Sequence, residues 1–201
     1  MMAILLWTLF GYLVGGIPFA YLVGKALARA DIRQVGDGNP GGTNAWKAGG
    51  WQVGLLAVVL EIFKGFFPVF LARQSGLFGW ELLPVCLAPI LGHATQPFLG
   101  WRGGKALGAS GGVWLALIGW VVFPIYASFT LLVLALQVEH AYAALSGLFA
   151  LLAFAFLSND KWLFTFAILN TLLLFWTHRR DLGRPLRWRS WVNYLLSREQ
   201  V

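Results

Sequence analysis

The feature that most constrains this chain is its succession of long apolar runs, residues 3–28, 50–72, 80–99, 106–137, 141–157 and 162–177, separated by charged breaks. A helix crossing a bilayer needs roughly 20 apolar residues at about 1.5 Å rise each, and these runs are of that order. A water-facing surface cannot absorb them, because 59% of the 201 residues are apolar and only 11% are charged, with a mean hydropathy of +0.71. The sequence therefore predicts an all-α, multi-pass membrane protein built as one transmembrane domain over 1–201. No charge precedes Lys25, whereas a cleavable secretory leader carries a basic stretch ahead of its apolar core. Residues 3–28 accordingly read as a retained first span.

Charge sets the topology. The 106–137 run is either one over-long helix or two short ones broken near Gly119 and Pro124. With the break there are seven spans, and one side receives Lys25, Arg29, Arg33, Lys47, Arg102, Lys105 and the tail residues Arg179, Arg180, Arg184, Arg187, Arg189 and Arg198, twelve of the fifteen cations. The other side receives Arg73 and Lys161, and Lys64 falls inside a span. The positive-inside rule prefers this split, so the expected arrangement is seven transmembrane helices, N-terminus out and C-terminus cytoplasmic. The segment Arg187-Trp188-Arg189-Ser190-Trp191 reads as an interfacial stretch on anionic headgroups. Cytoplasmic loops account for the net charge of +7, so no nucleic-acid partner is expected. Cys86 alone allows no intrachain disulfide, and three scattered histidines give no metal-ligand spacing. No metal or cofactor is expected.

Three clusters are richer in polar residues and glycine than connectors require. The first runs from Asp31 to Asn44 and on to Lys47. Gly36, Gly38 and Gly41 match G-x-G-x-x-G, with Glu61 downstream, but a dinucleotide site needs a βαβ unit where this chain has membrane spans. What stands is the chemistry of consecutive glycines, whose backbone N–H groups can converge on an anion, beside a helix beginning near Thr43 and Asn44. A flexible turn is the plainer alternative. The second cluster is Glu61 and Lys64, spaced i and i+3 on one helix face, so both should point inward as a pair, structural or catalytic. The third is Gly92-His93, Gln96-Pro97-Phe98 and Trp101-Arg102-Gly103-Gly104-Lys105. Lys105 does not fit an ATP-binding P-loop, because the first glycine and the following Ser or Thr are missing. Arg102, Lys105 and loop backbone suit an anion. No Ser or Cys sits in a nucleophile elbow.

In order and spacing, Gly36-x-Gly38-Asn39-Pro40-Gly41-x-Thr43-Asn44, Lys64-Gly65 after an acidic residue, Gly92-His93 with Gly103-Gly104-Lys105, and the His-Arg pair at 178 resemble the bacterial acyl-phosphate:glycerol-3-phosphate acyltransferases across essentially the whole chain. The resemblance implies a seven-span enzyme with cytoplasmic active-site loops, transferring a fatty acyl group from acyl phosphate to glycerol 3-phosphate to form lysophosphatidic acid for phospholipid synthesis. His93 reads as the candidate base, since an unperturbed imidazole pKa of about 6.5 suits proton transfer near neutrality, with the substrate phosphate acting as its own base an equal alternative. Lys105 and Asp37 are the other catalytic candidates, and Gly36, Gly38, Asn39, Gly41, Thr43, Asn44, Lys47, Lys64, Arg102, Gly103, Gly104 and Asp181 are expected around the substrates. The expected partners are acyl phosphate, glycerol 3-phosphate and membrane lipids, and the expected state is a monomer. Departures from the family pattern are Asp37 for a usual Ser, Glu61 for Asp, Lys47 and Arg102 as Lys/Arg exchanges, Ala106 for Gly and Asp181 for Asn. Two other readings stay open at this point: a diverged paralogue with another acyl acceptor, and a small anion-binding or transport protein. Transporters of that kind often carry inverted repeats, and none is evident here.

Overall fold

In a bilayer the backbone has no water to bond with, so apolar runs must satisfy their N–H and C=O groups internally as helix. The computed structural model describes residues 1–198 and side chains as far as 195, so the Arg198 charge counted above lies outside the described side chains. The helices are α1 Met2–Gly16, α2 Phe19–Leu27, α3 Gly42–Gln74, α4 Leu82–Thr95, α5 Leu107–Ile118, α6 Val122–Leu136, α7 His140–Leu157, α8 Lys161–Leu182 and α9 Ser190–Arg198. Among the described residues there is no strand beyond an isolated bridge between Gln137 and Trp188.

Among the described residues, five stretches are long and apolar enough to cross a membrane: Met2–Leu27, Gly42–Gln74, Gly79–Leu99, Leu107–Leu136 and His140–Leu157. The expected break in 106–137 falls at Gly119, whose φ of 69° ends α5. Two further breaks correct the sequence reading. Residues 3–28 do not form one uninterrupted helix, because Pro18 lacks an N–H and Ile17 is extended (φ −63°, ψ 123°), so α1 stops and α2 restarts. Helix α3 begins eight residues ahead of the apolar run at 50, and Gly50 (φ 77°, ψ −173°) divides it. Gly42 lies against Val58 and Gly54 against Trp46, so residues 42–49 fold back along the helix that continues from 51.

The chain resolves into two compact units, Met1–Trp120 and Val121–Val201. In the first, α1 packs on α4, and α3 packs on α5, α2 and α1. Small residues line these contacts. Gly65 meets the Ala109 carbonyl and Gly112 the Ile62 carbonyl so closely that any side chain would force α3 and α5 apart. Leu5, Leu9, Phe63 and Phe70 point outward while Ala57, Ala72, Ala88 and Ala109 are buried, the reverse of a soluble core. One buried cluster, Ala20, Val23, Ile32, Ala45, Val53 and Ala57, joins α2, the turn at 32–34 and both arms of α3. Two of its members, Ile32 and Ala45, flank the first glycine loop along the chain.

In the second unit, α7 packs on α6 and α8, and Asp160 caps α8 by accepting from the Trp162 and Leu163 amides. The stretch after α8 returns to the end of α6: Val138 N–H donates to the Arg187 carbonyl and Arg189 N–H to the Leu136 carbonyl. The Arg187 guanidinium lies 2.7 Å from Glu139. Trp188, Trp191, Tyr194 and Leu195 are exposed.

Candidate active site

The first loop is organised by one carboxylate. Gly36 and Gly38 adopt φ of 62° and 76°, the left-handed region in which glycine carries no Cβ penalty. Between them, Asp37 Oδ1 accepts from the Asn39 N–H at 3.2 Å and from Asn44 Nδ2 at 2.9 Å, and that amide also donates to the Asn39 carbonyl at 2.9 Å. Asn44 stands in the first turn of α3 and is buried. Gly41 is the N-cap of α3 and offers no side-chain cap, leaving the positive end of the helix directed at this loop.

The second loop rises from the end of α4 and comes to rest on it. Gly104 N–H donates to the His93 carbonyl at 3.1 Å. Gly103 lies on the Ala94 carbonyl and Gly104 on the His93 imidazole, so neither position has room for a Cβ. This seating delivers Lys105 to the first loop, where its Nζ meets Asp37 Oδ2 at 2.6 Å. Lys47 Nζ lies against Gly36. Burial pushes the Asp37 carboxyl up, but the Lys105 ammonium, the Asn39 N–H and the Asn44 amide outweigh it and hold the pKa at about 2. Asp37 is therefore ionised near neutral pH.

Beneath the loops lies a second ionic cluster. Glu61 Oε2 is 2.7 Å from Lys64 Nζ and 2.7 Å from His93 Nδ1, with all three side chains at most 5% exposed. Glu61 Oε1 accepts the Ala20 N–H at 3.1 Å, and Lys64 Nζ donates to the Ile17 carbonyl at 2.9 Å. The pair thus satisfies both ends of the α1–α2 break: the cation takes a terminal carbonyl of α1 and the anion a first-turn amide of α2, as helix dipoles favour.

With this arrangement in view, the likeness to known proteins is specific. The family model for glycerol-3-phosphate acyltransferase matches residues 5–188. The chain belongs to this family. The glycerol-3-phosphate acyltransferase of one Thermus thermophilus strain is 39% identical over 183 residues, 89% of each chain. That of Maridesulfovibrio salexigens is 35% identical over 89% of this chain and 91% of its own. Among solved structures, PlsY (YgiH), an integral membrane glycerol 3-phosphate acyltransferase in its glycerol 3-phosphate form, superposes with a TM-score of 0.80 at 30% identity, covering 90% of both chains. Its lysophosphatidic acid form gives 0.79 at 28% identity.

Within this acyltransferase fold, Gly36, Asp37, Gly38, Asn39, Gly41, Asn44, Lys47, Gly103, Gly104 and Lys105 come together at the two loops. Thr43 is exposed in the first turn of α3, and Arg102 is exposed in the second loop. Lys64 and His93 are both buried against Glu61 rather than exposed at the two loops. Asp181 belongs to the second unit and lies 3.8 Å from Arg184. Glu61 and Lys64 point inward as their spacing predicts. Sequence reasoning missed that Asp37 is the tie between the loops, and that Glu61 reaches both His93 and the Ala20 amide. Pro18 inside the first apolar run was the signal for the latter, since a broken helix in a bilayer needs polar partners.

Proposed function

We propose that this chain transfers a fatty acyl group from acyl phosphate to the 1-hydroxyl of glycerol 3-phosphate, releasing lysophosphatidic acid and phosphate. The observation that carries this reading is the meeting of two glycine loops at one ion pair, Lys105 on Asp37 at 2.6 Å, with Lys47 beside Gly36. Two anionic substrates must be held together, and these loops supply backbone amides, a helix N-terminus and cations for them. Gly36, Gly38, Asn39, Gly41, Thr43 and Asn44 cradle one phosphate; Lys105, Lys47 and Arg102 neutralise charge, with Gly103 and Gly104 giving close backbone approach. The acyl carbon is already activated, so no enzyme nucleophile is required. The acceptor oxygen attacks the carbonyl, the bond to the phosphate oxygen breaks, and the departing phosphate takes the hydroxyl proton. The His93 imidazole is buried, with Nδ1 on Glu61 and Nε2 under Gly104, which favours substrate phosphate over His93 as the base.

The same reading includes a seven-span chain acting as a single-domain monomer in the cell membrane, N-terminus out, with the loops cytoplasmic. The distribution of cations supports it. Purified protein given palmitoyl phosphate and glycerol 3-phosphate should form lysophosphatidic acid and phosphate in equal amounts; absence of product would overturn the assignment. Reporters fused at the C-terminus and in the turn between Arg73 and Glu81 should report opposite sides, and a shared side would remove the topology.

A further inference from the structure

The cluster beneath the loops is not used by the chemistry above, yet both loops are built on it. Through its Oε1, Glu61 accepts the Ala20 amide at 3.1 Å and so fixes the start of α2. Ala20 and Val23 of α2 pack with Ile32 and Ala45, on either side of the first glycine loop. Through its Oε2, Glu61 meets His93 Nδ1 at 2.7 Å. The His93 carbonyl receives the Gly104 N–H at 3.1 Å, and its ring is the surface on which Gly104 rests. Lys105 is the next residue along. Gly108 of α5 lies against the Glu61 side chain itself, closing the frame from the far side of the second loop.

We propose that Glu61 is a positioning residue which sets the separation of the two substrate loops, acting on 36–41 through Ala20 and α2 and on 103–105 through His93. Lys64 supports this role by holding the same carboxylate at 2.7 Å while it bonds the Ile17 carbonyl. Each oxygen of this one carboxylate therefore serves one loop. A rotation of the Glu61 carboxyl moves the phosphate cradle and the cation that faces it together. The kinetic consequences rest on the proposed acyl transfer; the structural coupling does not.

Glu61→Gln keeps the shape and removes the charge. In nanodiscs, hydrogen exchange should quicken at least about tenfold in both 36–44 and 102–106 while the outer part of α3 keeps wild-type protection. Acceleration confined to one loop, or absent from both, would overturn the proposal. In turnover, a misplacement of the order of 1 Å corresponds to a loss of about 10- to 100-fold in kcat. That loss should shrink to less than about threefold in a Lys105→Ala background, because the cation being positioned is gone. An equal loss in both backgrounds would show that Glu61 acts on stability alone. Should Glu61→Gln fail to fold, His93→Gln cuts only the arm to the second loop: exchange should rise over 102–106 and stay at the wild-type rate over 36–44, and any other pattern sinks the idea. A wild-type protein with no acyl transfer would undo the proposed function and leave the exchange comparison intact.

Discussion

The Asp37–Lys105 pair and the Glu61–Lys64 pair join the same two chemical groups at nearly the same distance, 2.6 Å and 2.7 Å. Their surroundings separate them. The first pair is 28–33% exposed at the mouth of the site, and the second is 0–5% exposed inside the bundle. An exposed pair contributes about 0.2 to 1 kcal/mol and exchanges partners readily. Breaking a buried pair from one side strands a charge and costs about 3 to 5 kcal/mol. The mouth pair is thus suited to be displaced by a phosphate arriving on Lys105, and the inner pair is suited to stay fixed while that happens.

The largest test of this contrast removes an inner cation. Lys64→Ala leaves Glu61 with a buried charge that has lost its ammonium partner and leaves the Ile17 carbonyl with the Phe19 N–H alone, so folding stability in detergent should fall by about 3 to 5 kcal/mol. A fall below about 1 kcal/mol would show the inner cluster to be hydrated, and the contrast would collapse. Lys105→Ala should behave in the opposite way. Its melting temperature should stay near that of the wild type, while loss of a charge-assisted phosphate contact costs roughly 1.5 to 3 kcal/mol, about 10- to 100-fold in kcat/KM. Full activity in a folded Lys105→Ala protein would remove the lysine from the site.

Asp37→Ser should act more mildly and in the other direction. It removes the internal competitor for Lys105, so KM for the phosphate-bearing substrates should fall by up to about fivefold, the equivalent of an exposed pair of about 1 kcal/mol. The pH dependence sharpens the point. With a folded pKa of about 2 against an unfolded value of about 3.9, the stability contributed by the Asp37 tie is fully present above about pH 4 and is lost as pH falls through about 2. The ratio of KM between the two proteins should therefore be constant from about pH 5 to about pH 8. A ratio that changes in that window would mean that the carboxyl titrates there and is not held by Lys105.

How much of this was legible in the sequence differs between the same two regions. The runs and charged breaks announced a helical membrane protein, and the i, i+3 spacing put Glu61 and Lys64 on one inward face, because period and hydropathy are local properties. The glycine loops read as anion-binding chemistry for the same reason. Long-range partners were not. Nothing near Asp37 indicates that its cation comes from Lys105, 68 residues along the chain, and a substitution of carboxylate for hydroxyl at a phosphate loop looks like a defect without that partner. His93 read as a base because a histidine beside a glycine loop suits proton transfer; its burial against Glu61 follows from how α4 and α3 pack, which periodicity does not encode. The fold-back of 42–49 was hidden because Gly49-Gly50 looked like the margin of a span, although the φ of 77° at Gly50 is what turns the chain.

The smallest test lies where the two regions join. Ala106 follows Lys105, is 1% exposed, and starts α5 with φ 61° and ψ 12°. An L-residue with a Cβ in this left-handed region costs about 1 to 2 kcal/mol, which gives a physical reason for the glycine that the family pattern places here. Ala106→Gly should relieve that strain, but glycine gives the unfolded chain more freedom, which returns about 0.4 to 1 kcal/mol. The difference leaves a stabilisation of roughly 0.5 kcal/mol, readable as a small rise in melting temperature. Because Lys105 hangs on the same backbone, the variant also reports on how the cation is held. If the seating of Gly104 on His93 fixes Lys105, as the inner frame requires, kcat/KM should stay within about twofold of the wild type. If the strained turn at 106 fixes it instead, relaxing the turn should lower kcat/KM severalfold while the protein becomes more stable, and positioning of the lysine would pass from the buried cluster to the start of α5.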